Sequence, residues 1–192
     1  MSISVEKGFN VSLSGLNAGL SRLAVGLGWD ASDSSAPEFD LDASAFVIKP
    51  DGNVLSDKYF VFFNNLKSPE GAVTHQGDNL TGEGEGDDEV IFVDLNKLPT
   101  EATRIVFVVT IYKGREQQQF FSQVSNAFIR VVDRDNNDEL ARYDLGQDFG
   151  QETSLIFGDV YLENGEWNFR AVGQGYEGGL HEAAQNFGVY LR

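Results

Sequence analysis

Apolar residues recur at every second position in a series of short segments along this chain, the period of strands with one buried face. Leu23, Val25, Leu27 and Trp29 alternate with Ala24, Gly26 and Gly28, so one side is bulky and the other small enough for a second backbone to lie close. Phe9, Val11 and Leu13 repeat the alternation behind a shorter strand at 3–5, and predict a buried face of their own. Residues 43–48 and 90–93 read as core strands, and 105–111, β-branched almost throughout, is the clearest strand of the chain. Residues 59–63 are apolar on both faces, which suits a strand covered on both sides or the edge of a sandwich core. Further strands are predicted at 126–132, 140–145, 153–161 and 167–172, the last carrying Trp167 and Phe169 on one face.

Turn chemistry punctuates the strands. Pro50-Asp51-Gly52-Asn53 and Glu163-Asn164-Gly165-Glu166 predict hairpins. Helical patterns are few: a turn after Asp94, one within 114–122, and a short C-terminal helix over 180–187 closed by Gly188. The fold expected is all-β, an antiparallel β-sandwich with acidic metal-binding loops and a few short helical segments, forming a single domain over 1–192.

The loops carry the chemistry. Gly77-Asp78-Asn79-Leu80-Thr81-Gly82-Glu83-Gly84-Glu85-Gly86-Asp87-Asp88-Glu89 holds six carboxylates, an Asn and four glycines, with no basic residue. Like charges at this density repel, and a multivalent cation is their natural counter-charge. The donors are all oxygens, which favours Ca²⁺, an ion that accepts ~6–8 oxygen ligands at variable angles. Glu83, Glu85, Asp87 and Glu89 alternate, so an extended chain places them on one side. A solvated acidic loop is the plain alternative, but this run feeds directly into the apolar segment at 90–93. Asp40 and Asp42 share a side next to a core strand, where carboxylates are costly without a partner. The ion is the partner preferred here over an Arg. The expected ligands are Asp40, Asp42, Asp78, Asn79, Glu83, Asp87, Asp88 and Glu89, around one or two Ca²⁺ ions, with Asp30 a weaker candidate.

Several other features read as structural. His75 adjoins the acidic run, yet hard oxygen neighbours and a preference of calcium against nitrogen leave it without a ligand role. Residues 133–139 alternate acids and Asn but lack the EF-hand glycine and twelfth-position acid, and read as a solvated hairpin turn. The glycines at 173–179 lack the Lys of a phosphate loop. His181 reads as a surface residue.

The run at 77–89 closely resembles the signature loop of the TerD family of tellurium-resistance and stress-response proteins, near GDN-x-TG-x-G-x-GDDE. Gly26-Leu27-Gly28-Trp29-Asp30, Phe39-Asp40-Leu41-Asp42-Ala43, the glycines of 173–179 and Phe187-Gly188-Val189 extend the resemblance across the chain. It implies a calcium-binding β-sandwich of the bacterial cytosol, encoded with other tellurium-resistance and stress proteins, which it suggests as partners.

Composition narrows the function classes. A net charge of -16 disfavours nucleic acid, and permits contact with an acidic membrane surface only through bridging calcium. The absence of cysteine excludes disulfides, thiolate metal sites and any tellurite chemistry that needs a protein thiol. No segment approaches the ~18 consecutive apolar residues of a membrane span, and the N-terminus lacks the pattern of a signal peptide, so a cytoplasmic protein is expected. The function expected is a calcium-binding stress-response module acting as sensor or scaffold, without catalysis. The alternative is a metal-dependent hydrolase using the same carboxylates, for which neither a cationic substrate cluster nor a positioned His base is evident.

Overall fold

In the computed structural model, which describes residues 2–30, 38–77, 86–146 and 149–191, the alternating segments form strands. In chain order they are β1 (Ile3–Ser4), β2 (Asn10–Ser12), β3 (Arg22–Gly28), β4 (Leu41–Ile48), β5 (Phe60–Val61), β6 (Val73–His75), β7 (Glu89–Asp94) and β8 (Arg104–Ile111). The series ends with β9 (Phe128–Asp133), β10 (Asp138–Asp144), β11 (Ser154–Glu163) and β12 (Glu166–Tyr176). Helices are short: α1 (Leu13–Leu16), α2 (Gly114–Gln117) and α3 (Gly179–Gln185).

Among the described residues the strands make two six-stranded sheets, the first ordered β1-β10-β9-β3-β7-β6 and the second β2-β12-β11-β8-β4-β5. Neighbours run antiparallel, except that β1 lies parallel to β10. The sandwich expected from the pattern is therefore present, with one parallel edge that the pattern did not show.

Bulky residues of the alternating strands fill the space between the sheets. Leu23, Val25 and Leu27 of β3 meet Leu41, Ala43 and Val47 of β4, with Ile105, Phe107, Leu155 and Phe157 beside them. The second sheet also buries its outer face. Phe46, Ile48, Val106, Val108 and Ile156 form a second apolar cluster there, capped by Ala183, Ala184 and Phe187 from α3 and the residues after it. β4 and β8 are therefore covered on both faces. The outer face of the first sheet is instead wet, with the Arg134 and Arg142 guanidinium groups stacked 3.6 and 3.8 Å over the rings of Phe92 and Phe128.

Three local expectations change. Residues 59–63 give only the two-residue β5 behind a single helical turn. Its Phe60 stacks on Phe46 at 4.4 Å and on Phe62 at 4.2 Å, so aromatic packing at the sheet edge accounts for the apolar run. Phe9 is 64% exposed, because it lies ahead of β2, so of the alternating three only Val11 packs against the core from the strand, and Leu13 is buried as the first residue of α1. The glycines at 173 and 175 lie inside β12 and not in a loop. The 163–166 turn is a two-residue hairpin with Asn164 and Gly165 at φ of 52° and 82°, the left-handed pair that such turns require.

Phe187 fastens the C-terminal segment to the second sheet, with its ring 4.9 Å from that of Phe46. Phe187→Ala is expected to lower stability by about 3 kcal/mol in urea unfolding, the scale of a large-to-small change in a packed cluster. Tyr190→Ala, at a residue 74% exposed, should stay within about 0.5 kcal/mol of the parent.

Candidate functional site

The acidic run rejoins the fold on the small-residue side of β3. Alternation turns Val25 and Leu27 inward and Gly26 and Gly28 outward, and the returning chain lies on those glycines. A Cβ on Gly26 would stand 2.3 Å from the carboxylate carbon of Asp87. One on Gly28 would meet the Phe128 ring at 2.4 Å and the Gly86 carbonyl oxygen at 3.1 Å. Any larger residue at 26 or 28 would lift the loop off the sheet. The close approach expected from the Gly26-Leu27-Gly28 pattern is met.

From this contact the acids diverge. Asp87 lies on the outer face of the first sheet, where Arg130 of β9, opposite Gly26 in register, donates from Nε and Nη2 to its two oxygens at 2.7 and 3.0 Å. The same guanidinium reaches Glu139 at 3.1 Å, and these two acids raise the proton affinity of Arg130 further. Asp88 continues the pairing of β3 with β7: its N–H donates to Leu27 O at 2.8 Å, and its Oδ2 accepts from the Trp29 N–H at 2.8 Å. Burial raises the Asp88 carboxyl above the usual range. The Trp29 hydrogen bond opposes that rise, and the charges of Asp87 and Asp30 add to it.

Glu89 takes a third direction, inward with Ile91 and Val93. Its Oε2 accepts from the Ala43 N–H of β4, in the opposite sheet, and lies 3.3 Å from His75 Nε2. Both side chains are almost wholly buried, at 1% exposure for His75 and 0% for Glu89. His75 Nδ1 accepts from the Gly77 N–H at 3.1 Å, which assigns the ring proton of the neutral form to Nε2, facing the carboxylate. The alternation of 83, 85, 87 and 89 therefore does not carry through to one shared side. Gly86, at φ +100°, and the bend at Asp88 turn the chain before β7 begins, separating Asp87 from Glu89.

Asp42 is buried on β4 with its side chain on the outer face of the second sheet, the side of Phe46 and Ile48. It borders a hollow of about 340 Å³ with Thr110, its register partner, and residues 178–181. The Asp40 carbonyl accepts from the Tyr112 N–H at 2.8 Å, extending the β4 to β8 pairing by one step. Asp78, Asn79 and Glu83 lie outside the described residues. Among those described, no three His, Asp or Glu side chains are grouped closely enough to hold one ion. The structure thus brings Asp87 and Asp88 together at the foot of the loop, and places Glu89 between the sheets and Asp42 on a separate face.

Sequence reasoning did not assign Arg130 or Trp29 a role at this foot, nor Ala43 as a backbone donor, because each acts through sheet register. His75, read as structural, has a specific partner in Glu89. At 133–139 the solvated-turn reading fits residues 134–138, but Asp133 is fully buried and accepts from Asn17 Nδ2 at 2.6 Å and from the Asp135 N–H at 2.9 Å.

Comparison with known proteins bears on the whole chain. The family model described as the TerD domain matches residues 1–187. A tellurium resistance protein TerD of Serratia marcescens is 52% identical over 189 residues, 98% of each chain. General stress protein 16U of Bacillus subtilis is 47% identical over 192 residues, the full length of both. The crystal structure of a homologue of the telluride resistance protein TerD from Streptomyces coelicolor superposes with a TM-score of 0.72 at 25% identity, covering 90% of this chain and 100% of that one. Shared sequence over nearly the full length and a shared double-sheet architecture agree, and the chain belongs to the TerD family.

Proposed function

We propose that this chain is a non-enzymatic, calcium-binding module of the tellurium-resistance and stress response, in which the 77–89 run binds one or two Ca²⁺ ions. The observation that carries the reading is the Asp88 carboxyl at the foot of the loop, made costly to ionise first by burial and then by the charges of Asp87 and Asp30. A cation removes that penalty, and an all-oxygen donor set selects a hard one. In this reading Asp88 marks one ion position and Asp40 with Asp42 a second, and Asp78, Asn79 and Glu83 supply further oxygens. Asp87 and Glu89 have protein donors already, from Arg130, His75 and Ala43, so their part is to anchor the loop. Bound calcium would supply neutralisation and a fixed loop conformation, which suits a sensor or scaffold for other stress proteins. The relatives named above bear the names of resistance and stress proteins, in keeping with a role that is not catalytic. No helix among the described residues is long and apolar enough to cross a membrane, and the working site proposed is the cytoplasm.

Thermal unfolding in EGTA against millimolar Ca²⁺ tests the proposal. Saturation at a hundred times Kd adds about 2.7 kcal/mol, or roughly 5–10 °C of Tm for a domain of this size, and Mg²⁺ should give far less. An unchanged Tm, with no heat in a calcium titration, would end the reading.

Asp88 gives a second test in which the sign reverses with the ion. Its folded pKa lies above the ordinary 3.8, so in EGTA its ionisation costs the fold stability, and that cost is relieved as pH falls through the folded value towards 3.8. Asp88→Asn removes the charge while keeping an oxygen for the Trp29 N–H. Near pH 7 it should melt at or above the parent in EGTA and below it in saturating Ca²⁺. Parallel shifts in both conditions would show that Asp88 is no ligand.

A further inference from the structure

The far end of the second sheet carries a cleft of about 480 Å³ that the calcium reading does not use. Strand register sets it apart from the acidic loop: Asp42 pairs with Thr110 at one end of β4 and β8, whereas Ile48 pairs with Arg104 at the other, about 20 Å along the strands. Val106, Ile156 and Val172 form the apolar floor, and Phe187 with Asn186 closes one side. Phe187 belongs to the packed outer cluster, so one wall is held by the same residue that fixes α3.

Two arginines and one aspartate stand at the rim. The Asp159 side chain is 2% exposed, and Arg170, directly opposite on β12, grips it through Nε at 3.1 Å and through Nη2. Burial raises the Asp159 carboxyl, while Arg170 and then Arg104 pull it back down. With that two-pronged contact the aspartate has its counter-ion. Arg104 adds a looser ion pair, its Nη1 3.6 Å from Asp159 Oδ2 and beyond hydrogen-bond range, and among the described residues its guanidinium makes no hydrogen bond. Its side chain is nonetheless two-thirds buried, at 32% exposure. A planar five-donor cation held against an apolar floor, with its donors unspent, is the arrangement that binds a carboxylate or phosphate. The local sum of two guanidinium groups and one carboxylate is positive, in a chain whose net charge is -16.

We propose that this cleft binds a small organic oxyanion, a phosphate or carboxylate head on an aromatic or apolar body, with the head on Arg104 and the free edge of Arg170. The body lies over Val106, Ile156 and Val172, and Gln174 and Tyr176, which also line the cleft, offer polar contacts at its edge. The volume lies within the range of small-molecule sites, ~300–1,000 Å³. Asp159 is a positioning residue, since it holds the Arg170 fork and leaves the second cation for the ligand. The surrounding negative field keeps out polyanions such as nucleic acid, and selects ligands of low charge whose body adds apolar contact. The site is independent of calcium.

The test uses the full chain in EGTA, with phenyl phosphate and benzoate as probes and phenol, benzylamine and inorganic phosphate as controls, followed by calorimetry and by amide shifts in NMR. Phenyl phosphate and benzoate should bind saturably, at least tenfold tighter than phenol or benzylamine, and shift Val106, Ile156 and Tyr176. Inorganic phosphate should bind at least tenfold more weakly than phenyl phosphate. Arg104→Gln, which breaks no hydrogen bond of the fold but loses the 3.6 Å ion pair with Asp159, should weaken both aromatic anions about tenfold while the chain stays folded, and Arg104→Lys should fall between. Phenyl phosphate binding no tighter than phenol, or equally well to Arg104→Gln, would overturn the proposal, and the first comparison decides even if the variant misfolds. Parity of phenyl phosphate with inorganic phosphate would overturn the role of the apolar floor. Because calcium is absent throughout, these outcomes are separate from those that test the acidic loop.

Discussion

A carboxylate buried between two sheets needs hydrogen-bond donors within reach, and in this chain Glu89 obtains them from both sheets. It projects from β7 in the first sheet, accepts from the Ala43 N–H of β4 in the second, and faces His75 of the neighbouring β6. The contact ties the sheets together at one end of the core. It also sets where the acidic run must re-enter, since Asp88 and Asp87 follow from Glu89 by chain continuity. Removing one member would strand the others in an apolar interior, which makes the contact costly to break whatever its net contribution to stability.

The remaining acids near the loop are handled by other means. Asp87 is matched by the Arg130 fork on the open face of the first sheet, while burial, and behind it the charges of Asp87 and Asp30, makes Asp88 costly to ionise against the pull of its Trp29 hydrogen bond. Adjacent positions in one short run thus meet an arginine, a backbone amide and a buried histidine in turn. That gradient, from neutralised to crowded, is the physical reason to look for a cation at Asp88. It also sets Asp87 and Glu89, held by Arg130, Ala43 and His75, apart from Asp88, which composition alone cannot do.

The two ends of the second sheet border different hollows. At the Asp42 end, Asp42 and Thr110 share a hollow with Lys113, Arg115 and Glu116. At the Arg104 end, the β11 to β12 hairpin brings Arg170 against the buried Asp159, and the helix-bearing C-terminal segment walls off a hollow beside a second arginine. Covering the outer face with α3 is therefore more than burial of apolar area. The segment stops short of the arginine end, and the cleft is what it leaves.

Much of the architecture was legible in the chain itself, because strand alternation and turn chemistry are local. The period-two run at 23–29, the β-branched run at 105–111 and the Asn164-Gly165 turn each specify an element without reference to anything distant. The family signature and the oxygen-rich loop were equally local. The alternations of Phe9 to Leu13 and of Asp87 to Glu89 do not each hold to one side, since period two applies only while the chain stays extended: β2 spans only Asn10–Ser12, and a bend separates Asp87 from Glu89. The sequence by itself determined the layered β fold and the family. Only the tertiary structure decided that Asp87 meets Arg130, that Glu89 meets Ala43 and His75, and that Arg104 stands beside an already paired Asp159. Those pairings depend on which strands lie side by side and in what register, and register is a property of the whole sheet rather than of any segment within it.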